Sequence, residues 1–235
     1  EIYTLSLHDA LPISIHVETD YNEAGGTLGT TFSDLSIAKS GAFAVGSFTA
    51  VDSISLTAGG AITDTNGAVV NLTAAAVSLT AAGGISLDTE TAALTTSNTS
   101  SGNTSIRNTG ALTVNGMAST GTVSLTNTAG ITLAGDITAA GSGDAIVLAA
   151  TTFDAGAASL NPGTGRYLVW SGDPLSDNRG GLTYDFKQYN ATFGSSTVLG
   201  TGDGFLYTVA PTITASLTGT VSKVYDMNRD RKSVV

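Results

Sequence analysis

Cysteine is absent from all 235 residues, so the chain carries no disulfide framework. That absence suits a reducing compartment and equally suits a secreted chain threaded unfolded through a pore, where disulfides would obstruct passage. Histidine is nearly as scarce. His16 is the only one outside the first thirteen residues, which argues against a Ser-His-Asp triad and against a multi-histidine metal site. Charged residues make up 12% of the chain and sum to −10, a thin acidic coat with no basic face for nucleic acid. No apolar run reaches the roughly 20 residues of a membrane-spanning helix, and no glycine loop followed by lysine offers a phosphate cradle. What remains is Gly (29 residues), Ser, Thr, Ala and Asn around 41% hydrophobic residues, a profile of β-structure with small residues at its corners. No cofactor is implied.

One phrase recurs. Ile54-Ser55-Leu56-Thr57 returns as Val77-Ser78-Leu79-Thr80 and Val123-Ser124-Leu125-Thr126, with a variant at Ile146-Val147-Leu148; the starts lie 23, 46 and 23 residues apart. Eight residues behind each of the first three copies follow Ile62, Ile85-Ser86-Leu87 and Ile131-Thr132-Leu133. Alternation of aliphatic and hydroxyl residues puts the aliphatics on one face of a short strand. Such a strand cannot bury that face alone, so a fixed period implies stacked copies. The expected fold is all-β: a right-handed parallel β-helix of about 23 residues per coil, ending in an aromatic-rich β region. The handedness follows the general preference of parallel crossovers.

The two ends read differently. His8-Asp9-Ala10-Leu11-Pro12-Ile13 can be encoded by CAC GAC GCT CTT CCG ATC, whose reverse complement encodes Asp230-Arg231-Lys232-Ser233-Val234-Val235 residue for residue. Tyr3 to Ile13 also resembles a translated sequencing adapter. Residues 1–13 and 227–235 are therefore expected to be adapter read-through. Resequencing of the locus checks this.

Between them, residues 14–50 read as irregular coils, with acidic Glu18, Asp20 and Glu23 in a solvated loop. Residues 51–160 read as the regular solenoid, with Ile54, Leu56, Ile62, Val77, Leu79, Ile85, Leu87, Val123, Leu125, Ile131, Leu133, Ile146 and Leu148 inward. One coil falls out of phase, at Ile106 and Leu112-Thr113-Val114, and a corner insertion within residues 95–103 accounts for it. Asn71, Asn98, Asn103 and Asn190 open glycosylation triplets, although Asn at a corner already has a reason in its tolerance of left-handed angles. From about Asn161 to residue 220 aromatics cluster, and they suit a cover for the last coil. Exposed rings among them would stack on sugars; the candidates for glycan or partner contact are Tyr167, Trp170, Tyr184 and Tyr189.

The Ser/Thr-alternating solenoid followed by Gly165 to Pro174 (GRYLVWSGDP), Gly180 to Gly194 (GGLTYDFKQYNATFG) and Gly202 to Thr214 (GDGFLYTVAPTIT) resembles the filamentous haemagglutinin-like adhesins of Gram-negative bacteria, exported by two-partner secretion. Residues 221–226 resemble the start of a YDG-type repeat, matching at Tyr225 and Asp226, with Met227 where the motif has Gly. The resemblance implies a non-catalytic fragment of an adhesin shaft, secreted or held at the cell surface. It also implies export through an outer-membrane pore and a host-cell or surface receptor, glycan or protein, as partner.

Two alternatives stand beside it: a β-helical polysaccharide lyase or glycosidase, and a purely structural spacer. An enzyme would need two or three acids brought together, and Asp136, Asp144, Asp154, Asp173 and Asp177 are the candidates, the last two beside Arg179. Gly141-Ser142-Gly143-Asp144 and Gly202-Asp203-Gly204 are similar to fragments of Ca²⁺-binding repeats, but neither recurs at the nine-residue period such a site needs.

Overall fold

The computed structural model describes residues 14–18, 32–212, 216 and 219. The adapter-like ends, Asp20 and Glu23, and the YDG-like segment at 221–226 lie outside them. The chain is a β-solenoid of parallel strands, about nine turns of about 20 residues each. No helix occurs among the described residues.

A coil is built as the alternation requires. Phe48–Ala58 presents Ile54 and Leu56 inward and Ser55 and Thr57 outward, the chain turns at Gly59-Gly60, and Ile62–Asp64 begins the next face. It re-enters the first face as Leu72–Ala81, where Val77 lies over Ile54 and Leu79 over Leu56. One interior column runs Leu35, Ile54, Val77, Leu94, Val114, Leu133. Another runs Phe43, Ile62, Ile85, Thr104, Val123, Ile146, Tyr167. Residues 32–50, expected to be irregular, sit in the same register as the rest. All thirteen aliphatics assigned inward are at most 3% exposed. Burying each stabilises the fold by about 1.5–3 kcal/mol.

The coil length differs from the 23 residues expected. Ile54 to Val77 and Val123 to Ile146 are true steps of 23. Between them, Leu72 stacks on Thr89 after 17 residues, and Ile85, Thr104 and Val123 follow one another at 19. Val123-Ser124-Leu125-Thr126 therefore lies over Ile85, on the other face from Val77. Its 46-residue separation from Val77 is the eight-residue offset between faces plus two coils of 19. The supposed insertion at 95–103 disappears for the same reason. Residues through Asn98 belong to one continuous strand, Ile85–Asn98, and Ile106 lies directly over Leu87.

The asparagines also differ from expectation. Among the described non-glycine residues only Asn190 has a left-handed backbone, at φ 54°. Asn71, Asn98, Asn108 and Asn127 instead point inward and are 0–9% exposed. Their amides hydrogen-bond along the axis: Thr89 Oγ1 donates to Asn108 Oδ1 at 2.8 Å, and Asn108 Nδ2 to Asn127 Oδ1 at 3.0 Å. A buried amide is tolerated when such partners satisfy it. Burial also closes the triplets at Asn71 and Asn98 to glycosylation in the folded protein, whereas Asn103 and Asn190 are exposed.

Two interior hydroxyls have no such partner. Thr104 lies between Ile85 and Val123, and Thr96 between Leu79 and Met117; both Oγ1 atoms are buried without a hydrogen bond. A hydroxyl in that position costs about 1–3 kcal/mol of desolvation. A Thr104→Val variant, which exchanges hydroxyl for methyl at nearly constant shape, is expected to stabilise the fold by about 1 kcal/mol, read as an upward shift of the urea midpoint. An unchanged or lowered midpoint would refute the assignment of Thr104 as an unsatisfied core residue.

Candidate functional site

The C-terminal end gathers the predicted aromatic residues. Arg166–Ser171 continues the second face over Asp144–Ala149, with Tyr167 on Ile146 and Val169 on Leu148. The chain then leaves for residues 172–203, lays down Phe186–Tyr189, and returns as Gly204–Tyr207 between that strand and Arg166–Ser171. The last strand in sequence is thus interior to the ladder, and the short Phe186–Tyr189 forms its edge. A short edge carrying Lys187 discourages pairing with another chain. Thr197 and Leu199 reinforce it through both ends of the Gln188 amide, at 2.9 Å each.

Strand parity sorts the aromatics into two clusters. Inward, Tyr167, Phe205 and Tyr207 join Phe153 in the main core. Tyr167 and Tyr184 meet Phe205 edge-to-face at 6.0 and 5.5 Å, and Tyr189 stacks on Tyr207 at 5.7 Å. This plug closes the top of the aliphatic column, as the cover expected from the sequence would. Outward, Leu168, Trp170, Leu206 and Ala191 form a second small core under the 172–203 excursion. Phe186 packs beside it, its ring flat on the backbone of Gly200 and Gly204; a Cβ on either glycine would fall 2.2 Å from the ring.

The four candidate contact residues are therefore not one surface. Tyr167 is 2% exposed and Trp170 6%, so neither presents a face for a sugar: the first points into the solenoid and the second is covered by the excursion. Tyr184 and Tyr189, 40% and 37% exposed, remain accessible at the top of the stack. Lys187 Nζ lies 4.8 Å from the Tyr184 ring, and the Arg179 guanidinium 5.7 Å. The residue that sequence reasoning passed over is Phe193, 42% exposed and edge-to-face with Trp170 at 5.6 Å. Only its position on the returning loop distinguishes it, which no local pattern signals.

The five candidate acids are each engaged in holding backbone. Asp136 accepts from Ser159 N–H at 2.8 Å, Asp154 from Gly156 N–H at 2.9 Å, and Asp173 from Leu175 N–H at 2.9 Å. Asp144 pairs with Arg166 Nε of the next coil at 2.5 Å. Asp177 accepts from Phe153 N–H at 2.8 Å and Ser171 Oγ at 2.6 Å. Burial pushes the Asp177 carboxyl above its ordinary pKa, and those two donors and Arg179 oppose the shift. No group of three acidic or histidine side chains among the described residues is placed to hold a metal ion.

The plug makes the fold sensitive to alkali. Burial raises the Tyr167 hydroxyl well above the ordinary value of 10.0, with Asp203 and Asp185 adding to it. It donates to the Thr183 carbonyl. Burial likewise raises Tyr207, opposed by Arg179. In the unfolded chain these phenols ionise near pH 10, so their contribution to stability is full below that pH and is lost as pH rises through the folded values. Chemical-denaturation midpoints are expected to hold up to about pH 10 and fall beyond it, with Tyr167→Phe flattening the fall. A midpoint independent of pH up to 11.5 would contradict the buried plug.

No family model matches the chain, and neither does any curated protein or solved structure.

Proposed function

We propose that this chain is a segment of the shaft of a secreted adhesin, displayed at the surface of a Gram-negative cell after export through an outer-membrane pore. The observation that carries the reading is the unbroken parallel ladder from Phe32 to Tyr207, whose interior is filled at every coil. A ladder of this kind adds about 4.8 Å per coil and contacts only its neighbours, so its output is length and stiffness. The candidate acids are spent on tying one coil to the next, which supports display in preference to turnover. The haemagglutinin-like order of Ser/Thr solenoid and aromatic segments supports the adhesin assignment, and a receptor on a host cell or surface is its partner.

Electron microscopy of the purified chain and retention of chain-coated beads on epithelial cells test this together. Rods of roughly 40 Å for nine coils, with bead retention above that of uncoated beads, are expected. Rods without retention would reduce the reading to a spacer. Release of soluble products from a polysaccharide would replace it with an enzyme.

A further inference from the structure

Three recesses join end to end along one corner of the solenoid. The first, about 370 Å³, is lined by Ala149, Thr151, Trp170, Ala191 and Phe193 among others. It shares Thr126 and Asn127 with the second, about 270 Å³, which runs back to Arg107 and Asp88. Those two residues also line the third, about 80 Å³. The positions lie in strict succession: Asp88 pairs with Arg107, Arg107 with Thr126, Thr126 with Ala149, and Ala149 with Trp170. The result is one groove along the axis, crossing five coils, roughly 19 Å from Asp88 to Trp170 at the coil spacing.

We propose that this groove binds a neutral linear glycan lying along the solenoid axis. Three features of the lining favour that chemistry. Phe193 offers an exposed ring, braced edge-on by Trp170, and an apolar ring suits the C–H face of a pyranose. The hydroxyls of Thr109, Thr126, Thr151 and Thr192 line the groove and make no hydrogen bond within the protein, so they are free for sugar hydroxyls. Among the described residues three buried polar side-chain atoms have no partner, and only one of them, Trp170 Nε1, belongs to this lining. A few polar groups convergent on an apolar recess is the usual make-up of a small-molecule site.

Charge and backbone select among polymers. The charged side chains of the lining are Asp64, Asp88 and Arg107, and Arg107 is held by Asp88 through Nε at 2.5 Å and Nη2 at 2.8 Å. With −10 on the whole chain, an acidic polysaccharide meets repulsion and no uncommitted cation. An extended peptide would need an unpaired strand edge, and the strands beneath this groove are paired on both sides from coil to coil. Shaft stiffness and groove occupancy are separate properties: rods and bead retention test the first, and a soluble oligosaccharide tests the second.

Trp170 is the single tryptophan, so its fluorescence reports on the groove directly. The full chain is titrated with β-1,4-linked glucose and N-acetylglucosamine oligosaccharides of two to six units, then with the wider neutral set of a glycan array. Oligogalacturonide and a threonine-rich peptide serve as comparators. A saturable change with at least one neutral series is expected, with affinity rising with length and insensitive to salt. Phe193→Ala is expected to weaken it at least tenfold, and Thr151→Arg, on an exposed position, to abolish it; unchanged melting temperatures exclude unfolding, and Thr192→Arg repeats the block from the opposite wall. The proposal is overturned if no neutral glycan binds, if only the acidic oligosaccharide or the peptide does, or if the variants bind as the parent does.

Discussion

An Asn71→Leu variant is expected to lose about 3 kcal/mol of local stability, the largest effect of any polar substitution in the solenoid. Asn71 is fully buried, and its side chain acts as a clasp among three coils. Its Nδ2 lies 2.9 Å from the Gly46 carbonyl and 3.1 Å from that of Val45, on the coil before, and also reaches Asp64 Oδ1 at 2.8 Å and Asn66 Oδ1 at 2.9 Å. Two N–H bonds are thus shared among four acceptors. Its Oδ1 accepts the Asp88 N–H at 2.8 Å, on the coil after. Leucine fills the volume but leaves the Asp88 N–H without a partner, and stranding a buried donor costs more than a hydrogen bond contributes. Because solenoid coils unfold in part independently, amide hydrogen exchange is the suitable measurement. The Asp88 and Phe48 amides should exchange on the order of a hundredfold faster, while Val123 and Leu125, two coils away, stay protected. A second readout is electrostatic. Burial works against the Asp64 carboxylate, but the Asn71 amide and the Asn66 N–H hold its pKa below the ordinary 3.8. The variant should raise it, and an unmoved Asp64 titration together with unchanged exchange would mean that the clasp is absent.

A Gly102→Val variant is expected to cost about 4 kcal/mol, more than the conformational penalty of the position alone. Gly102 has φ +84°, and a Cβ there would lie 2.6 Å from the Gly83 carbonyl oxygen and 3.0 Å from its carbon, all backbone of the coil below. The same corner repeats the arrangement. Gly60 packs on Gly41, Gly83 on Gly60, Gly121 on Gly102 and Gly141 on Gly121, and Gly60, Gly83 and Gly141 each donate their N–H to the glycine beneath at 3.0 Å. Backbone rests directly on backbone there, and no side chain fits between the coils. Gly67 provides the control, since its φ of +73° is similar but nothing lies within 4 Å of its Cβ position. Gly67→Ala should therefore cost only the left-handed penalty of about 1 kcal/mol. Equal losses in the two variants, by urea denaturation, would show that the corner contact contributes nothing beyond φ.

How far the fold could be read in advance depends on which interactions are local. Alternation of Ile, Ser, Leu and Thr determines strand and inward set without further information, since side chains on an extended backbone have a parity of two. Every aliphatic assigned inward is buried for that reason. The column to which each strand belongs is a different matter. The two faces carry interchangeable phrases, so Val123 reads as a copy of Val77 although it rests over Ile85 by way of Thr104. Only the hydrogen-bonded register separates a 23-residue coil from two coils of 19 and an offset. The axial asparagine bonds were hidden for a related reason: Asn108 and Asn127 read as corner residues until a neighbour one coil away supplies a partner.

The aromatic end divides in the same way. The sequence by itself determined that a β-solenoid ends in a cluster of aromatic residues able to close it, because composition and parity act within a single strand. Tertiary structure alone decided which rings are seen from outside. Tyr167 and Trp170 lie on one strand, three residues apart and on opposite faces, yet both are buried: the first by parity, the second because residues 172–203 return over the outer face. The same return exposes Phe193 beside the axial groove. That fold-back rests on pairings across some 36 residues, Leu168 with Gly204 and Val169 with Phe205, and no pattern within a few residues encodes them.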